Sequence, residues 1–124
     1  MASLLLGSCQ HQITNPALSG KIWDVHAGKF VSEEALYSAL RAADYVLLGE
    51  AHDNPVHHQY QAEIVQRLKP TAVVMEHLDP TQAKNANTAP LSELETILNW
   101  AKSGWPDFSL FEPVFRSIKE AGAT

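Results

Sequence analysis

A short apolar run, Tyr45-Val46-Leu47-Leu48, stops abruptly at Gly49, Glu50 and His52, and a turn with Asp53 and Asn54, then Pro55, then the pair His57-His58 follow. A continuous apolar run of this kind reads as a strand covered on both faces. Asn54 as cap and Pro55 at the first helical position predict a helix that begins there. Its buried stripe is Gln61, Ile64, Val65 and Leu68. Pro70 closes the helix, and Thr71 to Met75 is a second apolar run that ends in Glu76 and His77. Strand, helix and strand within about 32 residues is the spacing of a right-handed βαβ unit. The pattern predicts an α/β fold: a parallel, mixed-edge sheet with flanking helices around that βαβ core.

Ligands of parallel sheets bind beyond the carboxyl ends of the strands, where loops and helix starts converge. Adjacent strands lie about 5 Å apart, so Glu50, His52 and Glu76 are expected to share one pocket. Two carboxylates and an imidazole suit a divalent metal, or divide general-base and electrostatic roles on an activated water. His57 and His58 fall in the first helical turn, where a neutral imidazole or a metal ligand is tolerated better than a cation. His58 therefore joins the candidate metal ligands. By alternation along a strand, His77 is expected to point away from Glu76. His11 and His26 belong to no pattern.

Outside this unit the signals are local. Lys21 to Val31 reads as a hairpin turning at Ala27-Gly28-Lys29. Ser32 then caps a helix with Glu33 and Glu34 in its first turn and Leu36, Leu40 and Ala43 on one face. Asp79 to Asn87 is polar, with room for a short helix. Ser92-Glu93-Leu94-Glu95 matches a capping box that opens a helix with Leu94, Ile97, Leu98 and Ala101 on its apolar side. Gly104-Trp105-Pro106-Asp107 is a turn, and a last helix is expected from Pro113 to Gly122. A third parallel strand is then due. Two such strands cannot make a covered sheet alone, so residues 21–124 are expected to be the N-terminal part of a larger domain, or to have their sheet completed by partner chains.

Composition narrows the partners. A chain of 124 residues, 45% apolar and 19% charged, is of ordinary globular character. A net charge of -5 argues against a nucleic-acid or anionic-lipid surface, since both require clustered Lys and Arg. Cys9 is the single cysteine, which rules out an intrachain disulfide. It ends Ser3-Leu4-Leu5-Leu6-Gly7-Ser8-Cys9, which resembles the lipobox of bacterial lipoproteins, so residues 1–20 read as a signal remnant and linker with Cys9 as the lipidation site.

The runs VLLGEAHDNPVHHQYQAEIV and AVVMEHLD, followed by SGWPDFSLFEPVFRSIKEAGA, resemble the ChaN-type haem-binding uptake proteins. These sit within the wider Tiki, TraB and erythromycin-esterase-like superfamily. The likeness extends from Lys21 to Ala123, and its most specific parts are Gly49-Glu50-x-His52 with Asp53-Asn54-Pro55, and the Gly104-Trp105-Pro106-Asp107 turn. It implies the N-terminal half of a longer, lipid-anchored protein on the periplasmic or cell-surface side of a bacterial membrane. It also implies haem as ligand, iron uptake as role, and a homodimer with haem at its interface and tyrosine on the iron. That tyrosine belongs to the later half of the family pattern. Within this chain Tyr45 reads as strand core, and only Tyr60 stands as a haem-ligand candidate. In the wider superfamily this motif supports metal-dependent hydrolysis. The resemblance therefore carries an alternative: Glu50, His52 and Glu76 as catalytic or metal-binding groups for Mn, Co or Zn.

Overall fold

A computed structural model describes residues 17–124, so Cys9, the lipobox and His11 lie outside the described residues. The chain divides into two compact units, Met1–Ala39 and Leu40–Thr124. It is broadly α/β: five α-helices and a small two-stranded antiparallel sheet among the described residues.

In the first unit, β1 (Ile22–Asp24) and β2 (Lys29–Val31) pair in antiparallel register, Ile22 opposite Val31 and Trp23 opposite Phe30. The Trp23 and Phe30 rings meet edge to face with centroids 4.9 Å apart, a cross-strand pair of the kind that holds an isolated hairpin. Asp24 closes the turn: its Oδ1 accepts from Ala27 N at 2.8 Å and its carbonyl from Gly28 N at 2.9 Å. Gly28 sits at φ 63°, a left-handed conformation that costs glycine nothing. The hairpin is where the sequence predicts it. Ser32 Oγ accepts from Ala35 N at 3.2 Å and so caps α1 (Glu33–Ala42) as expected.

The second unit is helical in substance. Asn54 Oδ1 accepts from Val56 N at 3.0 Å, and α2 (Pro55–Leu68) begins with proline at its first position. It ends at Lys69 in the left-handed conformation, which returns its N–H to Val65 O at 2.9 Å. Two further helices, α3 (Pro80–Thr88) and the single-turn α4 (Leu94–Ile97), lead to α5 (Phe108–Ala121). The capping box belongs to α3, not α4. Asp79 Oδ1 accepts from Gln82 N at 2.8 Å while Gln82 Oε1 accepts from Asp79 N at 3.0 Å. Ser92 lies instead in a 3-10 turn, Leu91–Glu93, and makes no cap bond to α4.

Pro113 does not open the last helix. Asp107 caps it, with Oδ1 accepting from Ser109 N at 2.8 Å, and Pro113 falls inside. That position removes the amide that would meet the Ser109 carbonyl. The helix persists because Phe108, Phe111 and Phe115, spaced three and four residues apart, drive one face into the core. Ala86, Leu94, Leu98 and Trp100 complete this cluster, with Phe111 and Leu94 at 0% exposure. The Trp100 indole, buried among them, keeps its N–H satisfied by donating to Pro106 O at 2.7 Å. α2 packs along α5 and contributes His58 and Val65 to the interior.

Among the described residues the predicted parallel βαβ core is not seen. Residues 45–50 and 72–75 form neither helix nor strand, and among the described residues no backbone hydrogen bond joins the two runs. Tyr45, Leu47 and Val74 are 87%, 92% and 96% exposed, so Tyr45 is not strand core. Aliphatic and β-branched residues favour strands, but a ladder further needs hydrogen-bonded neighbours, and two strands are too few to hold one. One parallel contact is present. Thr124 N donates to Thr71 O at 3.2 Å and Thr124 O accepts from Val73 N at 2.8 Å, the staggered pair of bonds that a parallel neighbour makes.

Candidate functional site

Each apolar run ends in a tight turn, and the two turns deliver the polar groups. Asn54 N donates to Ala51 O at 2.9 Å, which puts His52 and Asp53 at the corner of the first. Leu78 N donates to Met75 O at 3.3 Å and puts Glu76 and His77 at the corner of the second. His57 braces the first turn by accepting from Ala51 N through Nδ1 at 2.9 Å. Ligand atoms of Glu50, His52, Glu76 and His77 all lie within 4.8 Å of one another.

Glu50 is the hub. Its side chain is nearly enclosed, with Oε1 2.8 Å from His52 Nδ1 and 3.2 Å from His77 Nε2, and Oε2 3.2 Å from His58 Nδ1. His58, fully buried against Phe111, donates Nε2–H to His52 O at 3.0 Å and so ties α2 to the turn. Glu76 stands further out, with Oε1 3.9 Å from His52 Nδ1. The expectation that His77 points away from Glu76 is wrong, because alternation holds only along a strand and these two residues turn a corner. His77 is instead enclosed by aromatic rings: Trp105 at 4.4 Å, Phe111 at 4.7 Å and Trp100 at 6.0 Å between centroids. Neither of its nitrogens has a hydrogen-bond partner.

The electrostatics follow from these contacts. Burial pushes the Glu50 carboxyl up, but hydrogen bonds from His52 and Gln61 and the charges of His58 and His77 outweigh it, leaving Glu50 below the ordinary carboxyl value. The hydrogen bond to Glu50 raises His52, and burial pushes His77 down. Two imidazoles sharing one carboxylate are thus expected to titrate on opposite sides of the ordinary histidine value. Proton NMR across the pH range checks this: coincident His52 and His77 midpoints contradict the geometry.

A separate apolar groove of about 900 Å³ is lined by Val73, Met75, Leu78, Ala86, Phe115 and Ile118, among others, and by none of the four clustered residues. Its size falls within the range of small-molecule sites, yet of its lining side chains only Met75 carries a familiar haem-iron donor. Tyr60 lines no part of that groove; it is exposed on α2, one turn after the exposed Val56.

The family model described as "Haem-binding uptake, Tiki superfamily, ChaN" matches residues 36–124. Comparisons with curated proteins and with solved structures return no match.

Proposed function

The chain belongs to the ChaN-type haem-binding uptake family of the Tiki superfamily, and on that basis we propose that it is a haem-binding lipoprotein of bacterial haem or iron uptake. The match over residues 36–124, which takes in Gly49-Glu50-x-His52 and the Trp105-Pro106 turn, carries this reading. Haem binds at an interface between two copies of the chain. Tyr60 is this chain's candidate iron ligand: its phenol is exposed beside Val56 on one helix face, open to a second surface. Lipid on Cys9 holds the protein at the membrane. Among the described residues no helix is long and apolar enough to cross one.

Titration of the full-length protein with haem is expected to give a saturable Soret band with a tyrosinate-type spectrum. Absence of saturable binding removes the haem reading. Loss of the tyrosinate features in Tyr60→Phe assigns the ligand, whereas an unchanged spectrum moves it to another residue and leaves the haem reading in place.

A further inference from the structure

We propose that the β1–β2 hairpin rests in the headgroup layer of a phospholipid bilayer, with its Trp23–Phe30 face as the contact. The inference rests on the membrane-anchored reading for the hairpin's place near a bilayer, whereas the contact itself belongs to the hairpin alone.

The hairpin covers the wrong pair for a purely structural element. Trp23 and Phe30 stand directly opposite each other, so their rings share one side of the hairpin, and they are 51% and 49% exposed. Val25, next in the turn, is 84% exposed. Ile22 and Val31, the neighbouring cross-strand pair, point the other way and are half-buried. Burial alone would favour hiding the larger aromatic pair. Here it is the pair turned outward.

Size selects what covers this face. An aromatic side chain buries about 150–250 Å², so two half-exposed rings offer on the order of 200 Å². A specific protein interface takes about 800 Å² from each partner, several times what these two rings present. A bilayer needs no matching shape, and binding to it scales with the apolar area inserted.

Chemistry points the same way. Tryptophan collects at membrane–water interfaces because its ring is apolar and its indole N–H seeks a polar partner. Lys21 and Lys29 lie within two residues of the ring pair, and long lysine stems carry their ammonium groups to headgroup phosphates. The hairpin's one acid, Asp24, is occupied in the turn, where Oδ1 accepts from Ala27 N. Ile22 follows Cys9 by 13 residues, no more than about 45 Å of chain, so lipid on Cys9 keeps the hairpin within reach of the surface. The whole chain is acidic, at -5. The rings rather than charge therefore carry the contact, and zwitterionic lipid suffices.

Flotation of the whole chain, without lipid on Cys9, with phosphatidylcholine vesicles tests this. The chain is expected to rise with the vesicles to an extent that salt barely changes, and brominated acyl chains are expected to quench part of its tryptophan emission. Trp23→Phe keeps a ring in the hairpin, so it is expected to bind still but to lose the quenching, because Trp100 and Trp105 belong to the other unit. Val25→Glu leaves the ring pair intact and is expected to lower partition by roughly tenfold or more, the worth of one buried aliphatic side chain. The proposal is overturned by no flotation, by quenching that persists in Trp23→Phe, or by partition that Val25→Glu leaves unchanged. A dimer that forms without vesicles and dissociates in Val25→Glu assigns the face to a second copy and overturns it equally. Lipid on Cys9 is read separately by mass and haem by its Soret band, so failure of either is distinguishable from failure of the hairpin contact.

Discussion

Replacing Phe111 with alanine is expected to lower the free energy of unfolding by about 3–5 kcal/mol, the cost of emptying a large aromatic site that cannot collapse. The ring is at 0% exposure and touches both the aromatic core and the histidines of the polar cluster. Trp100 lies 5.0 Å from it, His58 4.3 Å and His77 4.7 Å between ring centroids. Single domains are stable by only about 5–15 kcal/mol, so this one truncation removes a large share. Urea unfolding followed by tryptophan fluorescence measures it, and Val74→Ala is the control. Val74 is 96% exposed, so its truncation is expected to change stability by less than about 0.5 kcal/mol. Equal shifts in the two variants mean that Phe111 is not the centre of the core. The Phe111 cavity also frees His58 and His77 to move, so the variant is expected to disturb the polar cluster along with the core.

What could be read from the sequence was chemistry that acts over three or four residues. Asn54-Pro55 and Ser32 start helices because cap and proline geometry is local. Glu50, His52 and Glu76 were identifiable as residues at the ends of two apolar runs, and the structure brings all three together with His77. What lay beyond reach depends on distant partners. Apolar runs announce extended backbone, but whether Tyr45 to Leu48 joins a ladder is decided by neighbouring strands, and among the described residues none is bonded to it. Pro113 looked like a helix start on local grounds and was overruled by the Phe108, Phe111 and Phe115 stripe that spans it. His77 was assigned a direction from strand alternation. A turn closed by Met75 and Leu78 invalidates that rule, and only the run of turn-compatible residues Glu76-His77-Leu78-Asp79-Pro80 could have signalled it.

The second large effect is expected at Glu50. Glu50→Gln keeps the shape and removes the charge that three imidazoles face, so the variant is expected to lose on the order of 2–3 kcal/mol at neutral pH, the worth of hydrogen bonds to an ionised group. The sign of the pH dependence distinguishes this from a packing defect. A carboxyl held below its ordinary value contributes stability that is present above the ordinary carboxyl range and disappears as pH falls through the lowered folded value. His77, pushed down by burial, acts in the same direction at higher pH: the unfolded chain takes up its proton first, so stability declines as pH falls through the ordinary imidazole range. His52 works oppositely. It is raised by Glu50 and stabilises below the ordinary imidazole value, with that contribution lost as pH rises through its raised one. The unaltered chain is therefore expected to lose stability in acid in two stages, one in the histidine range and one in the carboxyl range. In Glu50→Gln the carboxyl stage is expected to shrink to what Asp107, lowered by its bonds with Ser109, still supplies, and the His52 midpoint to fall back, since the bond that chiefly raises it is gone. Denaturant midpoints from pH 3 to pH 8, with His52 followed by NMR, report both. If the carboxyl stage is undiminished in the variant and His52 stays raised, Glu50 is not the carboxylate that organises the cluster.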